Sequence, residues 1–136
     1  MKFIYSDGGR AAAGFKGKAS DCVVRAVCIA GEYDYLSIYQ IAANIEDQNG
    51  RKRSAREGLS KKSTRQLLDM LGWKWTPTMR IGSGCTVHLN ENELPKGRLV
   101  VSVSKHIVAV IDGEIHDTYD PSRESRRCVY GYWRKA

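Results

Sequence analysis

At Gly72 the pattern of the chain changes, and that change limits the folds open to it. Before Gly72, apolar residues recur at helical spacing. Cys22 to Ala30 is apolar on every side except at Arg25, which predicts a helix buried on most faces and therefore central. Gly31 is its expected stop. Leu36, Ile38, Tyr39, Ile41, Ala42 and Ile45 predict a second, amphipathic helix ending near Asn49 and Gly50. A third, from about Ser63 to Gly72, takes one buried face from Leu67, Leu68 and Leu71. After Gly72, "WKWTPT" alternates like a short strand, Gly-Ser-Gly at 82–84 reads as a loop, and "CTVHL" as a further short strand. "RLVVSVS" and "HIVAVI" are rich in β-branched residues, Asp112-Gly113 ahead of "EIHDTY" is a strong hairpin signal, and "CVYGYW" closes the sheet. The expectation is an α+β fold, N-terminal helices packed on a C-terminal antiparallel sheet with the first helix against it.

One domain, 1–136, accommodates all of this, and there is no repeat or low-complexity segment. The apolar run in "MKFIYSDGG" is too short for a signal peptide, and no eighteen consecutive residues are apolar. A cytoplasmic chain with no membrane contact is expected. Cys22, Cys28, Cys85 and Cys128 form no CxxC pair and no zinc spacing, so the expectation is free thiols, with no metal, cofactor or disulfide framework.

The net charge of +7 is uneven. In residues 51–65, Arg51, Lys52, Arg53, Arg56, Lys61, Lys62 and Arg65 face one acid, Glu57, a net of +6. A second basic cluster comprises Arg123, Arg126, Arg127, Arg134 and Lys135. Such stretches bind phosphate backbones or acidic partners, or are solvated loops; the absence of aromatics within 51–65 argues against a single-strand stacking platform.

With Ser20 or Asp21 as a cap, Cys22 falls in the first turn of a helix, where free backbone N–H groups and the helix dipole stabilise a thiolate. Asp21 also stands four residues before Arg25, as an i,i+4 ion pair requires. A nucleophilic thiol needs a base and a group that orients the base. His106 opens a central strand, and the following strand carries Asp117 and Asp120. A two-residue hairpin loop makes Asp117 the diagonal neighbour of His106, whereas a three-residue loop sets Asp120 directly across from it.

Helix-borne Cys, strand-borne His and an acid on the next strand, in that order, resemble the papain-like cysteine peptidase superfamily. The "DC" start and later "H...DP" are similar to its C39-type peptidases and to transglutaminase-like proteins. In those relatives the acid often precedes a proline, which implies Asp120. More closely, "DCVVRA", "GSGCTVHL", "ELPKGRLVVSVSKHIVAVIDGEIHDTYDPS" and "RCVYGYW" resemble a family of small, mostly uncharacterised phage and prophage proteins, which implies the cytoplasm of a bacterial host. The glutamine that precedes the papain-like cysteine by about six residues is here Lys16, a charged and flexible oxyanion donor.

The resulting expectation is a cysteine peptidase or amide hydrolase working through an acyl-enzyme thioester on a peptide or isopeptide-like substrate. Cys22 is its nucleophile, His106 its acid and base, Asp117 or Asp120 the orienting acid, and Lys16 an oxyanion aid. The rival from another class is a non-enzymatic protein on the same fold that binds nucleic acid or an acidic host protein through Arg51, Lys52, Arg53, Arg56, Lys61 and Lys62.

Overall fold

The computed structural model describes residues 1–16, 21–50 and 58–135. Its elements, in chain order, are β1 (Lys2–Tyr5), α1 (Cys22–Gly31), α2 (Tyr35–Gln48), α3 (Lys61–Met70), β2 (Trp73–Pro77), β3 (Arg98–Val103), β4 (His106–Ile111), β5 (Glu114–Asp117) and β6 (Val129–Lys135). The α+β expectation therefore stands, with helices before Gly72 and most of the sheet after it. The strands form one six-stranded sheet in the order β1-β5-β4-β3-β6-β2.

The β4–β5 turn sets the register at the centre. Asp112 and Gly113 both have positive φ, 49° and 80°, as a two-residue type I′ loop requires, and Ile111 pairs with Glu114. β3 joins β4 through an equally short connection, with Val103 paired to His106. Two sequence expectations need correction. The sheet is mixed rather than antiparallel, because β1 runs parallel to β5 with Phe3 opposite Ile115. "CTVHL" gives only an isolated bridge, His88 to Cys128, since the chain turns away there to cover the sheet.

Both faces of the sheet are covered. On one, Val100, Ala109 and Trp133 pack with Val24, Val27, Ile38, Ala42, Leu67 and Leu68 of the helices. On the other, Leu89 and Leu94 of the long β2–β3 connection lie over Leu99, Val101, Val108, Val110 and Ile115. Each of the Val, Leu and Ile side chains contributes roughly 1.5–3 kcal/mol relative to exposure. α1 has its apolar residues on nearly every side because it lies between the sheet and α2; Val24, Val27 and Ala30 are fully buried.

α1 ends one residue later than Gly31 suggested. Gly31 is its last residue, and Glu32 takes the left-handed conformation at φ 58°. Gly31 serves a different need: a Cβ there would fall 2.2 Å from the Tyr33 ring. Arg98 of β3 closes this end, donating from Nε to the Ala30 carbonyl at 2.6 Å and from Nη2 to that of Ile29 at 3.1 Å. A cation there also complements the negative end of the helix dipole. α3 begins at Lys61, ahead of the expected Ser63, because the Ser60 hydroxyl caps the Ser63 N–H at 3.1 Å. The buried Glu46 carboxylate of α2 accepts from Ser60 N and Ser63 Oγ, both at 2.9 Å, and so fixes α3 against α2.

Candidate active site

Cys22 is the first residue of α1 and is half-buried. Asp21 occupies the N-cap position, but its side chain makes no cap bond. It is instead buried as an acceptor for Arg25 Nη1 and for the Tyr35 hydroxyl, with Arg10 Nη1 3.8 Å away. Capping by Asp21 is thus corrected, while its pairing with Arg25 is observed; Ser20, the other cap expected, lies outside the described residues. Burial pushes the Tyr35 hydroxyl pKa up, and its bond to Asp21 adds to that. Burial opposes the charge on Arg25, but Asp21 first and Asp117 second hold its pKa above the usual arginine value. With Asp21 committed elsewhere, no side chain among the described residues caps the first turn of α1, and Cys22 sits at the positive end of the helix.

Opposite the thiol is His106, the buried first residue of β4. Its Nε2 is 2.6 Å from Asp117 Oδ2, the diagonal neighbour that the two-residue loop provides. Asp117 is in turn fixed by the Thr118 N–H at 2.7 Å on Oδ1 and by Arg25 Nη2 at 3.5 Å. Asp120, which the resemblance favoured, does not reach the ring: its Oδ1 accepts from Ser122 N at 2.9 Å, an Asx turn at Pro121. Burial would lower the His106 pKa, but the bonds to Asp117 and to Cys22, with the charges of both, raise it to about 9. With Nε2 engaged, Nδ1 is the ring nitrogen left for the sulfur. The Tyr119 ring lies against the imidazole, centroids 5.2 Å apart.

A cleft of about 480 Å3 opens beside this pair, and Cys22 and His106 both line it. Trp75 of β2 and Trp133 of β6 form a wall, ring centroids 4.3 Å apart. Lys16 does not line it; that side chain is exposed, and its carbonyl accepts from Arg10 Nη2 at 3.0 Å. Residues 17–20, between Lys16 and the helix, are outside the described ones, as are Arg51, Lys52, Arg53 and Arg56 of the basic stretch. Lys61, Lys62 and Arg65 are exposed on α3, and Lys61 and Arg65 face the cleft. In the second basic cluster, Arg127 spends its guanidinium on the carbonyls of Ser104 and Pro121.

The cysteines separate into three environments. Cys85 and Cys128 form a disulfide with Cα atoms 5.8 Å apart, which corrects the expectation of four free thiols. It fastens the β2–β3 connection to the start of β6. Cys28 is buried, and desolvation first, then Asp34 and Asp21, pushes its thiol pKa up to about 12. Cys22 is left as the accessible free thiol.

Residue spacing singled out Cys22, His106 and a third acid that was either Asp117 or Asp120; the structure brings Asp117 to the ring. Spacing did not reveal Arg25 as a bridge to Asp117, nor Arg10 and Tyr35 as partners of Asp21; an arginine inside an otherwise apolar helix was the signal for the first. No helix of the described residues is long and apolar enough to cross a membrane. In comparison with known proteins, the chain matches no family model, no curated protein and no solved structure.

Proposed function

We propose that the protein is a papain-like cysteine amide hydrolase, or an acyl transferase of the same kind. One observation carries the reading: the accessible free thiol lies at a helix N-terminus in the same cleft as a histidine whose Nε2 is held by a buried aspartate. His106, protonated at neutral pH, stabilises Cys22 as thiolate. The sulfur attacks the carbonyl carbon, forming a C–S bond. The oxyanion is met by the Cys22 backbone N–H, and as the C–N bond breaks the imidazolium passes its proton to the leaving amine. Water, or an acceptor amine, then gives its proton to the neutral imidazole and attacks the thioester; the C–S bond breaks and the thiolate–imidazolium pair returns. Asp117 does not exchange a proton in this cycle but keeps the ring in one tautomer and orientation.

The test is a thiol-directed, peptide-like activity probe applied to wild type, Cys22→Ser and His106→Ala, read by intact mass. One adduct on wild type and none on Cys22→Ser is expected, with labelling of His106→Ala slowed by about 100-fold or more. Equal labelling of wild type and His106→Ala would sink the proposal.

A second reading is kept by the charge of residues 51–65, whose described members Lys61, Lys62 and Arg65 are all exposed. In it the chain is a phage-type binding protein for nucleic acid or an acidic host protein. Gel shifts across a salt series separate the two, since phosphate contacts weaken steeply with salt.

A further inference from the structure

The cations of the cleft are arranged for an anionic substrate. Lys61 and Arg65 reach it from α3, and Lys105 from the turn between β3 and β4, immediately before the base His106. None of the three forms an ion pair or side-chain hydrogen bond among the described residues, and no Asp or Glu among those residues lines the cleft. Lys105 is held in the left-handed conformation at φ 56°, uncommon for a side-chain-bearing residue, while Arg127 Nη2 bonds the preceding Ser104 carbonyl. The turn that aims Lys105 is therefore built, not incidental. The Trp75 and Trp133 rings, packed against each other, line the same cleft.

We propose that this cleft selects acyl donors in which a carboxylate stands beside an aromatic or branched apolar side chain, that is, an acidic peptide segment. The inference rests on the reading of Cys22 as nucleophile. The indole wall takes the apolar side chain, and Arg65, with the two lysines, takes the carboxylate. Part of the basic stretch then belongs to the active cleft rather than to a separate surface.

Two peptidyl acyloxymethyl ketones that differ only as Phe-Glu against Phe-Gln test it, each read as the rate of Cys22 alkylation by intact mass. The Glu probe is expected to react at least about tenfold faster at low salt, the ratio shrinking as salt screens exposed charge. Lys61→Glu/Arg65→Glu/Lys105→Glu is expected to bring the ratio to one or below, while Lys62→Glu, on the same helix but outside the cleft, keeps the wild-type ratio. Circular dichroism checks that the triple variant is folded, and single Lys105→Gln gives a milder arm if it is not. Equal rates for both probes in wild type overturn the inference and leave the nucleophile in place. A preference that survives the triple change also overturns it. Reaction with neither probe faster than free glutathione ends the hydrolase reading, and this one with it. If an oligonucleotide slows both probes alike and the Glu preference is absent, the cations serve nucleic acid instead.

Discussion

Arg25 of α1 and Asp117 of β5 lie 3.5 Å apart, Nη2 to Oδ1, with both side chains almost fully buried. The contact ties the helix that carries the thiol to the strand that carries the acid behind the histidine. Since Arg25 also holds Asp21, one guanidinium joins two buried carboxylates that burial would otherwise expel. The candidate site thus rests on a chain of charge, Asp21–Arg25–Asp117–His106, that ends beside Cys22.

Arg25→Met should show that dependence. It removes the cation common to two buried carboxylates, so unfolding by urea should register a loss of about 3–5 kcal/mol. Arg25→Lys should recover part of the stability but little of the geometry, because one ammonium cannot fork between two acids. A loss under about 1 kcal/mol for Arg25→Met would show that the carboxylates find other partners.

Thiol reactivity should be confined to one residue. In brief iodoacetamide exposure near pH 7, Cys22 should label far faster than Cys28, whose thiol is pushed up to about 12 by burial. Cys85 and Cys128 should label only after reduction. Peptide mapping by mass provides the measurement, and dominant labelling of Cys28 would contradict it.

The His106 proton gives a pH signature. Burial would lower its pKa, but Asp117 first and Cys22 next raise it to about 9. Because the folded-state value lies above the ordinary 6.5, the stabilisation is fully present below pH 6.5 and is lost as pH rises through about 9. Cys22 acylation should fall along the same alkaline limb. Asp117→Asn removes the leading raising contact, so the limb should move to lower pH, and turnover should drop by about 100-fold or more as the ring loses its orientation. An alkaline limb unchanged in Asp117→Asn would contradict the assignment.

The disulfide should matter for stability rather than chemistry. It closes a segment of 43 residues, and the loop-entropy relation assigns such a closure about 4 kcal/mol, less any strain. Cys85→Ser/Cys128→Ser should lower the urea midpoint while leaving the rate of Cys22 alkylation within about twofold. An unchanged midpoint would mean that the covering connection is held by Leu89 and Leu94 alone.

Legibility in the sequence followed sequence distance. α1, the Asp112-Gly113 turn and the Asp21–Arg25 pair are local, and their residue types specify them within a few positions. Choosing between Asp117 and Asp120 turned on a single residue of loop length; strict two-residue geometry selected Asp117, while the Asp-Pro resemblance pointed to a residue that in fact shapes its own turn. β1 was missed because "KFIY" is too short to carry a pattern and pairs with a strand more than a hundred residues away. Cys85 and Cys128 gave no spacing signal, since what unites them is a connection folding back over the sheet. The basic stretch read as one patch, but only the fold shows that Lys61 and Arg65 turn toward the cleft while Lys62 does not.

Arg98 grips the last carbonyls of α1, as Arg25 grips its opening turn. Held by guanidinium groups near both tips, one belonging to the sheet and one reaching back to it, the helix behaves like a rod clamped lengthwise. Sliding by even one residue, about 1.5 Å along its axis, would break both clamps together. The position of Cys22 along the cleft is therefore tied partly to the far end of the rod, where Arg98 of β3 holds the carbonyls of Ala30 and Ile29.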